Sequence, residues 1–142
     1  MPSWRDSASE QCQNDLDGLL NITLPFAQQM LKKSGEFYPF GAAMSTEGEA
    51  QLLGAHPGPD RPATAEVLAL LLKGFRHDRG RFRAVAICSD VRLSDSDAVR
   101  VELEHQEGSA MAVFLPYQKN HPGNDINYGE LRAETAERQV WI

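Results

Sequence analysis

The sequence predicts an α+β fold, an antiparallel sheet of five to seven strands with two helices packed on one face. The predicted order is α-β-β-α-β-β-β, followed by up to two more strands. Three observations carry this reading. Residues 98–117 alternate apolar and charged side chains and then reverse at Gly108, the pattern of a half-buried hairpin. Residues 16–31 and 67–75 repeat apolar side chains at three-to-four-residue spacing, as amphipathic helices do. The punctuation between them is short and rich in Gly, Pro, Asp and Ser, with no repeat and no dividing linker, so residues 1–142 read as one domain.

In chain order, Leu16, Leu19, Leu20, Ala27, Met30 and Leu31 form the first apolar stripe. Pro25 either kinks that helix or starts a second one with Thr23 near its cap. Lys32, Lys33 and Gly35 suit a helix C-terminus. Residues 37–44 and 50–55 flank a turn at 45–49, and Pro39 belongs at an edge or bulge because it has no N–H to donate. Residues 56–62 hold three prolines and read as a loop. The second helix buries Val67, Leu68, Leu71, Leu72 and Phe75, with Asp60 or Thr64 as its cap. Residues 81–93 are apolar on both faces in the middle, as in a central strand covered by helices. In the next strand Val99, Val101 and Leu103 face the core, while Arg100, Glu102 and Glu104 face water. Residues 128–134 and 138–142 read as a last hairpin, although 130–138 also suits a short helix.

Composition bounds the function. The 142 residues are 42% hydrophobic and 24% charged, the balance of a soluble globular protein. The net charge is −6, from 14 basic and 20 acidic residues, and it disfavours nucleic acid and anionic membranes as partners. The longest apolar run, 67–72, is too short to cross a bilayer. The opening residues lack the apolar core of a secretory signal. Cys12 and Cys88 form no CxxC pair, and Cys88 lies in an apolar run as a buried thiol would. A reducing cytoplasm is the expected compartment.

No catalytic, metal or cofactor motif stands out. His56, His77, His105 and His121 have no metal-ligand spacing. On a strand, Glu102 and Glu104 point away from His105, which reads as a solvated strand end. There is no nucleophile elbow and no glycine-rich phosphate loop. Lys73, Arg76, His77, Arg79, Arg81 and Arg83 form one basic cluster. It reads first as cations at a helix C-terminus, and second as an anion-binding patch. The loop at 116–125 is the candidate partner-binding tip, through Tyr117, Lys119, Asn120 and His121.

Residues 35–44 (GEFYPFGAAM), 98–108 (AVRVELEHQEG), 115–117 (LPY) and 128–131 (YGEL) resemble those of small bacterial cytosolic α+β proteins of unknown function. The element order also resembles roadblock and profilin-like sandwiches, which implies a scaffold or sensor. The leading expectation is a non-enzymatic bacterial protein-binding domain with an acidic surface. Its partner would be a basic protein, as for an immunity-type protein that neutralises a toxin. Two other readings stand beside it. One is a small-molecule binder or weak hydrolase with a pocket between sheet and helices, using Tyr38, His56 and His105. The other is a homodimeric structural module paired through a strand edge or face.

Overall fold

The computed structural model describes residues 5, 8–55, 62–119 and 125–142. Helix α1 (Glu10–Ser34) is followed by strands β1 (Phe40–Ser45) and β2 (Ala50–Leu53) and helix α2 (Thr64–Asp78). A 3₁₀ turn, Arg79–Arg81, leads to β3 (Phe82–Arg92), β4 (Asp97–His105) and β5 (Ala110–Lys119). The short strands β6 (Ile126–Tyr128) and β7 (Arg132–Thr135) close the order. All pairings are antiparallel, in the order β2-β1-β3-β4-β5, with β6 and β7 both on the outer edge of β5. The class and element order are those the sequence predicts. Among the described residues, no helix is long and apolar enough to cross a membrane.

Local chemistry sets the ends of α1. The Ser9 hydroxyl accepts the Cys12 N–H at 3.0 Å, and Glu10 occupies the first turn. At the other end Gly35 adopts φ 76° and donates to the Leu31 carbonyl, with Lys32 and Lys33 in the last turn. The helix runs unbroken through Pro25, so no second helix starts there. Thr23 is not a cap. It is fully buried, and its hydroxyl donates to the Leu19 carbonyl at 2.9 Å. A proline inside a helix costs roughly 3 kcal/mol, but burying Leu16, Leu19 and Leu31 returns roughly 1.5–3 kcal/mol each. Tertiary packing therefore outweighs the proline. Helix α2 begins after Ala63, without a side-chain cap. Thr64 is its first residue, and Asp60 lies outside the described residues.

The placement of α2 departs from expectation. The helices cover opposite faces of the sheet. Phe40, Ala42 and Met44 of β1 and Ala84, Ala86 and Cys88 of β3 pack with the α1 stripe. The alternate residues Ala43, Val85 and Ile87 pack with Val67, Leu71 and Phe75 of α2. Successive strand residues point to opposite faces, so this parity separates the two layers. Residues 84–89 are buried without interruption, which requires a cover on each side. Small residues let the helices come close: a Cβ on Gly41 would lie 2.7 Å from Cζ of Phe75.

The C-terminal region also differs from a hairpin. β6 and β7 do not pair with each other but continue one another along β5. The register slips by one residue between Tyr117↔Tyr128 and Phe114↔Arg132, a bulge opposite Pro116. The Pro116 carbonyl accepts the Gly129 N–H there at 2.8 Å. Residues 138–142 form no strand, yet Val140 is buried beside α2.

Gly41→Ala should destabilise the fold by roughly 1–3 kcal/mol, because the Phe75 ring must shift within a packed layer. Gly54→Ala, where among the described residues nothing beyond its chain neighbours lies within 4 Å of the added carbon, should melt like the parent. Thermal denaturation of both variants is the check, and equal melting would contradict the seating of α2 on the Gly41 face.

Candidate functional site

A buried polar network joins α1 to β3 and β4. Asp15, on the inner face of α1, is 3% exposed. Arg83 donates to it from Nε and Nη2, each bond 2.9 Å long, in a two-pronged ion pair. His105, fully buried at the end of β4, places Nε2 at 2.9 Å from Oδ2 of the same carboxylate. The Glu107 N–H donates to His105 Nδ1 at 3.1 Å, so the ring proton sits on Nε2 and goes to Asp15. The Ser9 hydroxyl completes the cluster with a 2.6 Å bond to Glu107 Oε2. His105 is thus not a solvated strand end. Glu102 and Glu104 do point away from it, as strand alternation requires.

Cys12 belongs to the same cluster. Donor atoms of Cys12, His105 and Glu107 all lie within 4.8 Å of one another. A thiol, an imidazole and a carboxylate in sequence suggest nucleophilic chemistry, but this thiol is fully buried. Burial raises its pKa above the usual thiol value, and the charges of Glu107 and Asp15 push the same way against a hydrogen bond from Ser109. A nucleophile needs the reverse, an accessible thiolate. The network therefore binds elements together and does not present a reactive group to solvent.

A second buried carboxylate closes the opposite face. Glu104 was expected to face water, yet it is 6% exposed. Its oxygens accept the N–H groups of Gln139, Val140 and Trp141 at 2.7–3.1 Å. The chain after β7 folds back over β4, and Glu104 satisfies backbone donors that would otherwise be stranded. Arg76 of α2 and Arg79 of the following 3₁₀ turn hold the same segment, donating to the carbonyls of Gln139 at 2.6 Å and Val140 at 3.2 Å.

The basic cluster thus divides by role. Arg76, Arg79 and Arg83 have protein acceptors, whereas Lys73, His77 and Arg81 border an open groove between α2 and β2. The groove has a volume of about 650 Å³, the scale of small-ligand clefts. Leu53, Leu70, Leu71, Phe75 and Phe82 form its apolar walls. His77 lies 3.1 Å from the neighbouring Asp78 carboxylate. Among the described residues, Lys73 and Arg81 have no carboxylate within 4 Å.

The residues assigned to a loop tip do not assemble into one. Tyr117 is 2% exposed, in β5, and its hydroxyl donates to Asp90 at 2.6 Å. Burial raises the pKa of that phenol and of Asp90 alike. Lys119 is exposed at the end of β5, while Asn120 and His121 lie outside the described residues. The pocket residues fare similarly. Tyr38 is exposed ahead of β1, His56 lies outside the described residues, and His105 is on the face opposite the groove. Asp15 was missed and Arg83 was read only as a member of the basic cluster, although a signal for Asp15 existed. The i, i+3, i+7 spacing of Cys12, Asp15 and Leu19 puts a carboxylate on the apolar stripe.

Asp15→Ala should cost roughly 3–5 kcal/mol in urea unfolding, because it leaves Arg83 and His105 unpaired in the interior. Glu104→Ala should act locally, freeing residues 139–141 and shifting Trp141 emission to the red while far-ultraviolet dichroism holds. A midpoint unchanged by Asp15→Ala, or emission unchanged by Glu104→Ala, would refute the respective role. Searched against known proteins, the chain matches no family model, no curated protein and no solved structure.

Proposed function

We propose that the chain is a non-enzymatic binding domain whose ligand is a small apolar carboxylate, held in the groove between α2 and the β2 edge. The observation that carries this reading is the pairing of apolar walls with Lys73 and Arg81, two cations without a carboxylate partner among the described residues. An apolar body gains by burial against Leu70, Leu71, Phe75 and Phe82, at roughly 25 cal/mol per Å² removed from water. Its carboxylate meets the cationic lip, where a charge-assisted hydrogen bond is stronger than a neutral one. A basic protein partner drawn to an acidic exterior has only the net charge of −6 in its favour, so we place the groove first.

Thermal-shift screening with aliphatic and aromatic carboxylates, each beside its neutral amide, tests the reading. Acids should raise the melting temperature and amides should not. The double variant Lys73→Glu/Arg81→Glu should weaken the best acid roughly 10-fold or more, the effect expected when attraction at a contact becomes repulsion. Equal binding of acid and amide, binding unchanged in the double variant, or no stabilising acid would overturn it.

A further inference from the structure

We propose that Cys12, His105 and Glu107 form a binding site for a divalent transition metal of the zinc type, joining the start of α1 to the β4–β5 turn. One thiolate, one imidazole and one carboxylate are ligands that zinc accepts, with a fourth position left for water. Tetrahedral bonds of about 2.0–2.3 Å set ligand atoms roughly 3.3–3.7 Å apart. Nδ1 of His105 and Oε2 of Glu107 are already 3.7 Å apart, and the Cys12 sulfur is within 4.8 Å of both donors. The cluster needs only a modest contraction.

An independent observation lies outside the three ligands. His105 gives its Nε2 proton to Asp15, and Arg83 fixes that carboxylate from two directions. Metal-ligating histidines are oriented in this way, with the far ring nitrogen on a carboxylate and the near one free to coordinate. Nδ1 currently accepts the Glu107 N–H. Loading exchanges that hydrogen bond for a coordinate bond, and the adjustment falls in the turn at 106–109, where Gly108 has φ 122°. The Cys12 thiol gives its proton to solvent on binding, so affinity rises with pH. Glu107 is exposed and offers the approach to two buried ligands.

Cobalt(II) chloride titrated into the full chain tests the site. One equivalent should produce a sulfur-to-cobalt charge-transfer band in the near ultraviolet and intense tetrahedral visible bands, both abolished by added zinc chloride. Cys12→Ser should remove the charge-transfer band. Glu107→Ala changes an exposed side chain and should keep the apo fold by circular dichroism while weakening cobalt more than roughly 10-fold, a loss that even outer-shell changes reach. Absence of the charge-transfer band in the parent, its persistence in Cys12→Ser, or equal cobalt affinity in Glu107→Ala would overturn the proposal.

Discussion

Strand β3 excludes water from both faces over six consecutive residues, 84–89, and most of the molecule follows from that constraint. A strand closed on both sides needs two covers. Helix α1 supplies one, against β1, β3, β4 and β5 together. Helix α2 is shorter and covers only the β1–β3 portion of the other face. The uncovered part of that face, over β4, falls to residues 139–141, which is why Val140 is buried although it belongs to no strand. The fold is therefore three-layered where the helices overlap, and thinner towards β5.

The same constraint explains how an acidic chain uses its buried charges. Each cover is fastened at a point where hydrophobic burial alone specifies position poorly. Asp15 fixes the depth and rotation of α1 through Arg83 and His105, and Glu104 fixes the returning C-terminal segment through three N–H donors. Apolar contact is non-directional, whereas a two-pronged guanidinium–carboxylate pair has one geometry. A buried pair adds little net stability over a well-packed apolar replacement. Its contribution here is alignment, since it selects one seating of a 25-residue helix on a sheet of small side chains.

The strands and helices were legible because their periodicities are strong and uninterrupted. The double-sided apolar character of residues 84–88 was also visible, and it already argued against placing both helices on one face. What hid the arrangement was the assumption that one two-faced sheet has one wet side, as the alternating residues 98–104 imply locally. Glu104 obeyed that alternation in direction but not in exposure, because the segment that covers it lies 35 residues away. His105 was obscured for a similar reason: its partner is 90 residues distant, and a strand pattern carries no information about which helix residue arrives opposite it. The Tyr117 position was misjudged by reading a loop from its composition. The strand continues through Pro116 to Lys119, and the phenol turns inward to Asp90.

A surplus of carboxylates does not weaken the case for an anionic ligand at the groove. Net charge acts over distances that physiological salt screens within about 8 Å, so what a ligand meets on arrival is the local set of charges. Exposed carboxylates lie on the β1–β2 turn, on the β3–β4 turn and along residues 130–137, while at the groove itself Asp78 stands beside His77 and Lys73 and Arg81 add two cations that it does not pair. Three neighbouring cations are already committed to Asp15 and to the carbonyls of Gln139 and Val140. The cations at the groove are thus those that folding does not consume. Lys73 and Arg81 are exposed and keep their hydration without a ligand, so what sets the groove apart is the apolar wall beside them, where the body of an acid is buried while its carboxylate meets the two cations.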